Sequence, residues 1–439
     1  MTAADSIDPG AESDTSAGRL TGNAPMRLLI ENVVAMYGLW GATMLTGVAL
    51  LPILTRRLGP IALGKLSVSQ SLGWVIATMV EYGFNFYAAR EVARLVGQDG
   101  TKAQTFAASI IGAKTLLLAL LLPAFWWISA ITPALKTDPL LACATALWIL
   151  GLGSSPIWLF QGLGRIRSFT IYDLACKIFA VMGIFITVRR PVDAWLVQLW
   201  LALGVLGSTV MTFRLVSRYI VLALPNLRSS VEQLRLGWTS FMYRLSGTVA
   251  GQVNPFLMSA STTALNIGLY AIAEKVVRLC INALQPLSEA IYPFVLRSPS
   301  EKSRLSSMLI IGLNTALGAG CFIVLFACAA PVIKLVGGGR FAAAAASLRI
   351  LSWSVPLVAL NQALALYGLV RNNRTVAFTI FTGISLGTQV LLGIRLSATS
   401  GHVGMAKAVL FTQAISTMAL ITIISTDRYV CGGVRQYRS

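Results

Sequence analysis

Five polar residues in one apolar stretch of this 439-residue chain are spaced to act together. Between Ala264 and Leu296, Glu274, Arg278, Asn282, Gln285 and Glu289 recur at intervals of four, four, three and four. That spacing stacks them on one face of an α-helix, with Lys275 beside them. The stretch is long enough to cross a bilayer, which takes about 20 residues, and each ionisable group inside one costs roughly 2.5–3.5 kcal/mol on insertion scales. Such a face cannot look at lipid; it must line a wet cavity or pair with a neighbouring helix. Arginine and lysine at membrane depth suit an anion, phosphate above all. Carboxylates such as Glu274 and Glu289 offer places for a proton or cation during a transport cycle. Glu274 and Arg278 also have the spacing of a buried ion pair, so both readings stand.

The same stripe occurs earlier. Subtracting 204 from each position gives Gln70, Trp74, Thr78, Glu81 and Asn85, and Gly64 answers to Gly268. We read this as an internal repeat with its polar faces at the repeat interface, the arrangement of many secondary transporters. Other ionisable residues inside apolar runs are Lys114, Asp173, Lys177 and Arg244. Asp173 and Lys177 are four apart, either a packing pair or a functional one. Arg244 has no acid within a turn on its own helix, so it needs a partner from another helix or an anionic ligand. Gly247, Gly251, Pro255 and Pro286 on the two adjacent helices serve close packing and kinks, or act as hinges. Lys114 stays open.

The elements that must hold these residues are membrane helices. The chain is 56% hydrophobic and 12% charged with a mean hydropathy of +0.74, against about a quarter charged in a soluble domain. Apolar runs near 33–55, 66–89, 105–130, 140–160, 169–188 and 194–216 form one set of six. Runs near 239–262, 266–295, 305–330, 343–370, 375–394 and 403–425 form a second. The expected fold is therefore all-α and polytopic, about twelve transmembrane helices in two six-helix lobes. Its parts are a polar tail over 1–25, a first lobe over 26–216, a linker over 217–238, a second lobe over 239–426 and a basic tail over 427–439. Lysine and arginine are more numerous in the loops that share a side with the termini, which places both termini in the cytoplasm and accounts for the formal charge of +19 without nucleic acid. The six cysteines show no CxxC, and one histidine, His402, cannot build both a triad and a metal site. No GxxxxGK[ST] loop is present, and every loop is short, which argues against ATP hydrolysis by that route and against an enzyme with a large catalytic loop. No metal or cofactor is expected.

Four stretches then carry a resemblance. They are Asn32 with LTRRLGPIALG (Leu54 to Gly64), EYGFNFYAAREVAR (Glu81 to Arg94), SPIWLFQGLGRIR (Ser155 to Arg167), and IGLYAIAEKVVRL followed by Pro286 and Pro293. They resemble the polysaccharide-synthesis family of lipid-linked oligosaccharide flippases (Wzx type), in the superfamily of the multidrug-and-toxin exporters and the peptidoglycan lipid flippases. Lys65-Leu66 departs from the family's usual aromatic after the turn. The resemblance implies a central cavity bounded by helices 1, 2, 7 and 8 in the inner membrane of a bacterium. It also implies a polyprenyl-diphosphate-linked oligosaccharide as substrate, moved to the periplasmic leaflet for O-antigen, capsule or exopolysaccharide synthesis. On that reading Arg244, Lys275 and Arg278 meet the diphosphate, and Asn85, Asn282 and Gln285 bond sugar hydroxyls. Glu81, Asp173, Glu274 and Glu289 are candidates for coupling to H+ or Na+. A polysaccharide polymerase and a chain-length regulator are the expected protein partners. The alternatives are a cation-coupled multidrug exporter of the same fold, or a membrane glycan polymerase or ligase.

Overall fold

A computed structural model describes the backbone of residues 24–96, 100–217, 225–297, 300–364 and 375–436. Within those ranges, side chains are described except at 24–49, 239, 243, 245–250, 284–297, 300–310, 375–380 and 424–436. Among the described residues all regular structure is helical. Six helices are long and apolar enough to cross a membrane, or seven if Ile311–Ala327 and Ala329–Gly337, bent by 75°, make one span. The chain is thus a multi-pass membrane protein. The helices Ala24–Glu81, Leu227–Gln252 and Ala264–Arg297 are not in that set; each interleaves ionisable residues with its apolar ones. The described residues before Thr43 form one unit and those from Thr43 onward another. The polar tail read over 1–25 lies, as far as residue 23, outside the described residues, as do 218–224 of the expected linker. The helix that follows begins at Leu227, ahead of the apolar run that announces it, and the last helix runs from Thr375 to Gln436.

The opening helix Ala24–Glu81 turns a corner at Gly59, whose φ of 72° and ψ of 178° are non-helical, just before Pro60. Glycine takes positive φ without steric cost. The two arginines before the corner tie down the ends of other helices. Arg57 Nη1 donates to the carbonyls of Phe185 at 2.6 Å and Val188 at 2.7 Å, where the helix Ile166–Thr187 ends. Arg56 Nη2 donates to the Leu335 carbonyl at 2.8 Å and Thr55 Oγ1 to that of Val336 at 2.6 Å, at the end of Ala329–Gly337. The last carbonyls of a helix lack partners within it, and a cation there also meets the negative end of the helix dipole. Lys114 does the same inside the protein. It is 4% exposed and its Nζ donates at 2.9 Å to the carbonyl of Ser155, which closes the helix Pro139–Ser154. It does not snorkel to a membrane surface.

Beyond the corner the two repeats cross each other. A Cβ on Gly64 would lie 2.0 Å from the Ala264 carbonyl oxygen, and one on Gly268 would lie 1.8 Å from the Pro60 carbonyl oxygen. Pro60 and Ala264 are 204 apart, as are Gly64 and Gly268. The two contacts are therefore equivalent by a local two-fold relation, and only glycine lets the backbones approach so closely. Leu63 and Val68, from the first repeat, accordingly belong to the buried cluster built around Tyr270, Ile272 and Leu348 in the second.

At the far end of the same helix the chain breaks again. Tyr82 (φ 52°) and Gly83 (φ 72°) are both left-handed, and the next helix is Phe84–Val96. This corrects the placement of Asn85 on one continuous helix with Glu81: the stripe of the first repeat stops at the Tyr82–Gly83 turn. A bulky residue with positive φ is an outlier. Here it is held by stacking of Tyr82 on Phe241, with ring centroids 4.3 Å apart and planes 5° from parallel. Gly83 has a second reason to be glycine, since a Cβ there would lie 2.6 Å from the Ser240 carbonyl oxygen.

Gly64→Val and Gly268→Val each wedge the same crossing and are expected to give the same phenotype. With Gln70→Cys as reporter, labelling by a membrane-impermeant maleimide should rise in either variant above the parent; unchanged labelling in one of them would show that the two contacts are not equivalent.

Candidate functional site

Most of the described candidate residues lie between the Gly64–Gly268 crossing and the Tyr82–Gly83 turn. From Gln70 to Glu81 the helix rises about 16 Å, at 1.5 Å per residue, so the site extends over roughly half of a 30 Å hydrocarbon core.

At one level sits Glu274. Its Oε1 accepts from Arg278 Nη2 at 2.7 Å, from Asn254 Nδ2 at 3.0 Å and from the Tyr270 hydroxyl at 3.1 Å. Asn254 is held by Gln389, whose Nε2 donates to Asn254 Oδ1 at 2.8 Å. Three helices converge here because the helix Leu227–Gln252 breaks at Val253, and Pro255 opens the short helix Asn254–Ser259. The break aims Asn254 inward. Glu274 keeps 12% of its side-chain exposure and Arg278 27%, so the arginine is the more open partner of the pair. Lys275 reaches across to the first repeat, its Nζ donating to Gln70 Oε1 at 3.3 Å. Ser71, next to Gln70, donates to the Gln252 carbonyl and accepts from the Phe256 backbone N–H at 3.3 Å, which fixes the broken helix against the first repeat.

At the other level sits Glu81. Arg244 Nη2 approaches Glu81 Oε2 at 3.5 Å, and Asn85 donates to Glu81 Oε1. Arg244 thus finds the interhelical acid that its own helix lacks. Its Nε and the Oδ1 of Asn85 are buried without a hydrogen-bond partner, leaving a donor and an acceptor free beside the pair. Lys114 lies within electrostatic reach of Glu81.

The structure therefore brings Glu274, Arg278 and Lys275 together on one side, and Glu81, Arg244 and Asn85 on the other. Asn282, a turn beyond Arg278, is partly exposed. Gln285 and Glu289 lie outside the described side chains. Asp173 is elsewhere: it pairs with Lys177 at 2.6 Å and accepts from Ser208 at 3.1 Å, joining the helices Ile166–Thr187 and Ala194–Val216. Trp74 and Thr78 of the earlier stripe face inward, Trp74 edge-on to Trp148 with centroids 5.5 Å apart and Thr78 buried.

With this geometry in hand, the comparison with known proteins is direct. Residues 29–299 match the polysaccharide biosynthesis protein family, well over half of the chain. The chain belongs to that family. It is 20% identical over 409 residues to a protein of Escherichia coli (strain K12) called "Putative O-antigen transporter", a match that covers 91% of this chain and 97% of that one. A protein of Shigella dysenteriae with the same name is 20% identical over 90% of this chain and 99% of its own. In fold the chain is similar to the lipid II flippase MurJ in an inward closed conformation, with a TM-score of 0.70 at 13% identity over 89% of this chain and 87% of that one. It is also similar to an inward-facing multidrug resistance MATE family transporter of the MOP superfamily, with a TM-score of 0.66 at 15% identity over 88% and 94%.

Three residues of the site were not singled out from spacing: Asn254, Tyr270 and Gln389. Tyr270 is one turn before Glu274 on the same face, so the stripe begins earlier than its first charge. Gln389 is an amide in an otherwise apolar run, which is itself a signal. Asn254 precedes a proline, where a helix interior is disfavoured.

Removing one member of a buried ion pair strands the other, at a cost of about 3–5 kcal/mol when fully buried; the partial exposure of Arg278 places this pair at the lower end or below. Glu274→Ala is therefore expected to destabilise more than the double substitution Glu274→Ala/Arg278→Ala. A double-mutant cycle on thermal unfolding in detergent checks this, and additive effects would show that the pair is uncoupled. The same cycle on Glu81 and Arg244, at 3.5 Å and with Arg244 more exposed, should give a smaller coupling, about 1 kcal/mol or less.

Proposed function

We propose that the protein is a flippase that moves a polyprenyl-diphosphate-linked oligosaccharide from the cytoplasmic to the periplasmic leaflet of a bacterial inner membrane, supplying surface polysaccharide synthesis. The observation that carries the reading is the set of cations at membrane depth, Lys275 and Arg278 on one repeat helix and Arg244 on the broken helix before it. Membership of the polysaccharide biosynthesis protein family and the transporter relatives support it. The proposed frame is twelve helices in two lobes of six, with the divisions read from sequence and both termini cytoplasmic.

Each site cation is already engaged: Arg278 and Arg244 by a carboxylate, Lys275 by an amide. A diphosphate offers more negative charge and more acceptor oxygens than one carboxylate, so it can take Arg278 and Lys275 together. Glu274, released from Arg278, would then be left charged in a poor solvent unless a proton or cation neutralises it. Glu81 stands in the same relation to Arg244. That exchange of partners favours Glu274 and Glu81 among the coupling candidates, which also include Glu289, on the same helical face by its spacing, and Asp173, which pairs with Lys177. Asn85, Asn282 and Gln285 would bond sugar hydroxyls. Nothing in this scheme breaks a covalent bond, so the activity is transport and not catalysis. A polymerase and a chain-length regulator are proposed partners downstream of the flipped lipid. The competing reading, cation-coupled drug export, draws on the MATE-like fold, but a cationic drug would meet three basic side chains on the way through.

Reconstituted vesicles loaded with a labelled polyprenyl-diphosphate oligosaccharide give the test. Protein-dependent access of the label to an impermeant quencher is expected, with Arg278→Ala lowering the rate at least tenfold and Arg278→Lys recovering part of it. Absence of exchange for any such lipid, together with gradient-driven efflux of a small organic cation, would replace this reading with drug export.

A further inference from the structure

Away from the central site, a lateral groove of about 520 Å³ opens on the outside of the second half of the chain, lined by Phe326, Arg349, Trp353, Leu396, Lys407 and Phe411 among others. Its wall is aromatic and faces outward: Trp353 is 50% and Phe411 51% exposed. Trp353 is also braced by Phe322, with ring centroids 4.5 Å apart. Two cations stand in this wall, Arg349 on the helix Ala344–Ser352 and Lys407 shortly after the break at Ser400–Gly401 in the final helix. Lys407 lies about 9 Å along the helix from Gly401, at 1.5 Å per residue. Gly401 packs against Asn266, close to the Gly64–Gly268 crossing, and Ser347 hydrogen-bonds His402 at 2.7 Å. The groove is therefore at the same end of the helices as that crossing.

These cations have no protein counter-charge to meet. Among the described residues neither forms a salt bridge, and the sequence holds no aspartate or glutamate anywhere from Lys302 to Thr426. On the reading of the loops by their charge, this end faces away from the cytoplasm, where lysine and arginine are disfavoured. Arg56 and Arg57, at the same end, are engaged by helix carbonyls; among the described residues the side chains of Arg349 and Lys407 have no such engagement.

We propose that the groove is a binding site for an anionic glycerophospholipid, its phosphate held between Arg349 and Lys407 and its upper acyl chain lying against Phe326, Trp353 and Phe411. Charge complementarity selects the occupant: a zwitterionic lipid brings its own cation to the same place, whereas phosphatidylglycerol or cardiolipin does not. Basic pockets between transmembrane helices on the cytoplasmic or matrix side bind such headgroups, and the same charge and aromatic chemistry is present in this groove. The site is separate from the central one and does not depend on what is transported there.

Native mass spectrometry of the purified full chain, titrated with phosphatidylglycerol or phosphatidylcholine, tests this. Preferential retention of phosphatidylglycerol is expected. Arg349→Gln and Lys407→Gln should each weaken it about fivefold, and the double variant should bind the two lipids alike. Arg189→Gln/Arg190→Gln, which removes two cations outside the groove, should keep the preference, and unchanged melting temperatures should show that all variants fold. Equal binding of both lipids by the parent, a preference that survives the double substitution, or displacement of the lipid by millimolar inorganic phosphate would overturn the proposal.

Discussion

A carboxylate at membrane depth has no water to fall back on, and the middle of this protein is arranged around satisfying one. Glu274 receives donors from its own helix (Tyr270 and Arg278) and from a second one (Asn254), which a third helix orients through Gln389. Charge-assisted bonds of this kind contribute about 1.5–3 kcal/mol each. Left unmatched, the acid would cost more than any one of them returns. The helix is interrupted at Val253, ahead of Pro255, whose missing N–H and ring disfavour a continuous helix, and Asn254 is buried there beside the acid. Arginine then becomes the variable member, because Asn254 and Tyr270 are buried and fixed while Arg278 keeps a solvent-facing side. A site in which only the cation can change partners is suited to an anion that arrives and leaves.

The glycine crossing supplies the complementary constraint. Gly64 and Gly268 bring two backbones so close that the helices act as each other's stop, and the relation is symmetric down to the carbonyls of Pro60 and Ala264. The Gln70–Lys275 bond lies just below it. Contact at this end thus depends on backbone shape, which is insensitive to charge. Contact at the other end rests on the Tyr82–Phe241 stack and on the Glu81–Arg244 contact beside it. Only the second contact includes groups that an anion or a cation could draw away.

The periodicity of Glu274 and Arg278 was enough to find their pair, because both partners share one helix and four-residue spacing is a local rule. Asp173 and Lys177 were legible for the same reason, and in the structure they form a pair that also engages a neighbouring helix through Ser208. The offset of 204 was legible as repetition, and the meeting of Gly64 with Gly268 is its geometric consequence. What spacing could not supply were contacts between segments distant in sequence: Arg244 with Glu81, Lys114 with the Ser155 carbonyl, Gln389 with Asn254. The turn at Tyr82–Gly83 was missed because the apolar run continues through it, and hydropathy does not register a change of backbone direction. The helix start at Leu227 was missed for the opposite reason: its first turns are polar, yet they continue the same helix.

The basic excess of the chain also divides by cause once partners are known. Arg56, Arg57 and Lys114 bond the carbonyl ends of helices, a use that needs positive charge but no anion, and that places two arginines on the side where the loop rule disfavours them. Arg244, Lys275 and Arg278 meet acids or amides between the repeats. Counting charges by loop treats all of these alike, which is why the sidedness read from the sequence has a narrow margin. Set aside the arginines bound to helix ends, and the remaining loop charges lean further toward the side of the termini. Of the cations that remain on the opposite side, Lys334, Arg340, Arg349, Arg395 and Lys407 fall in the stretch that carries no acid, which is a property of the second half and not of the site between the repeats.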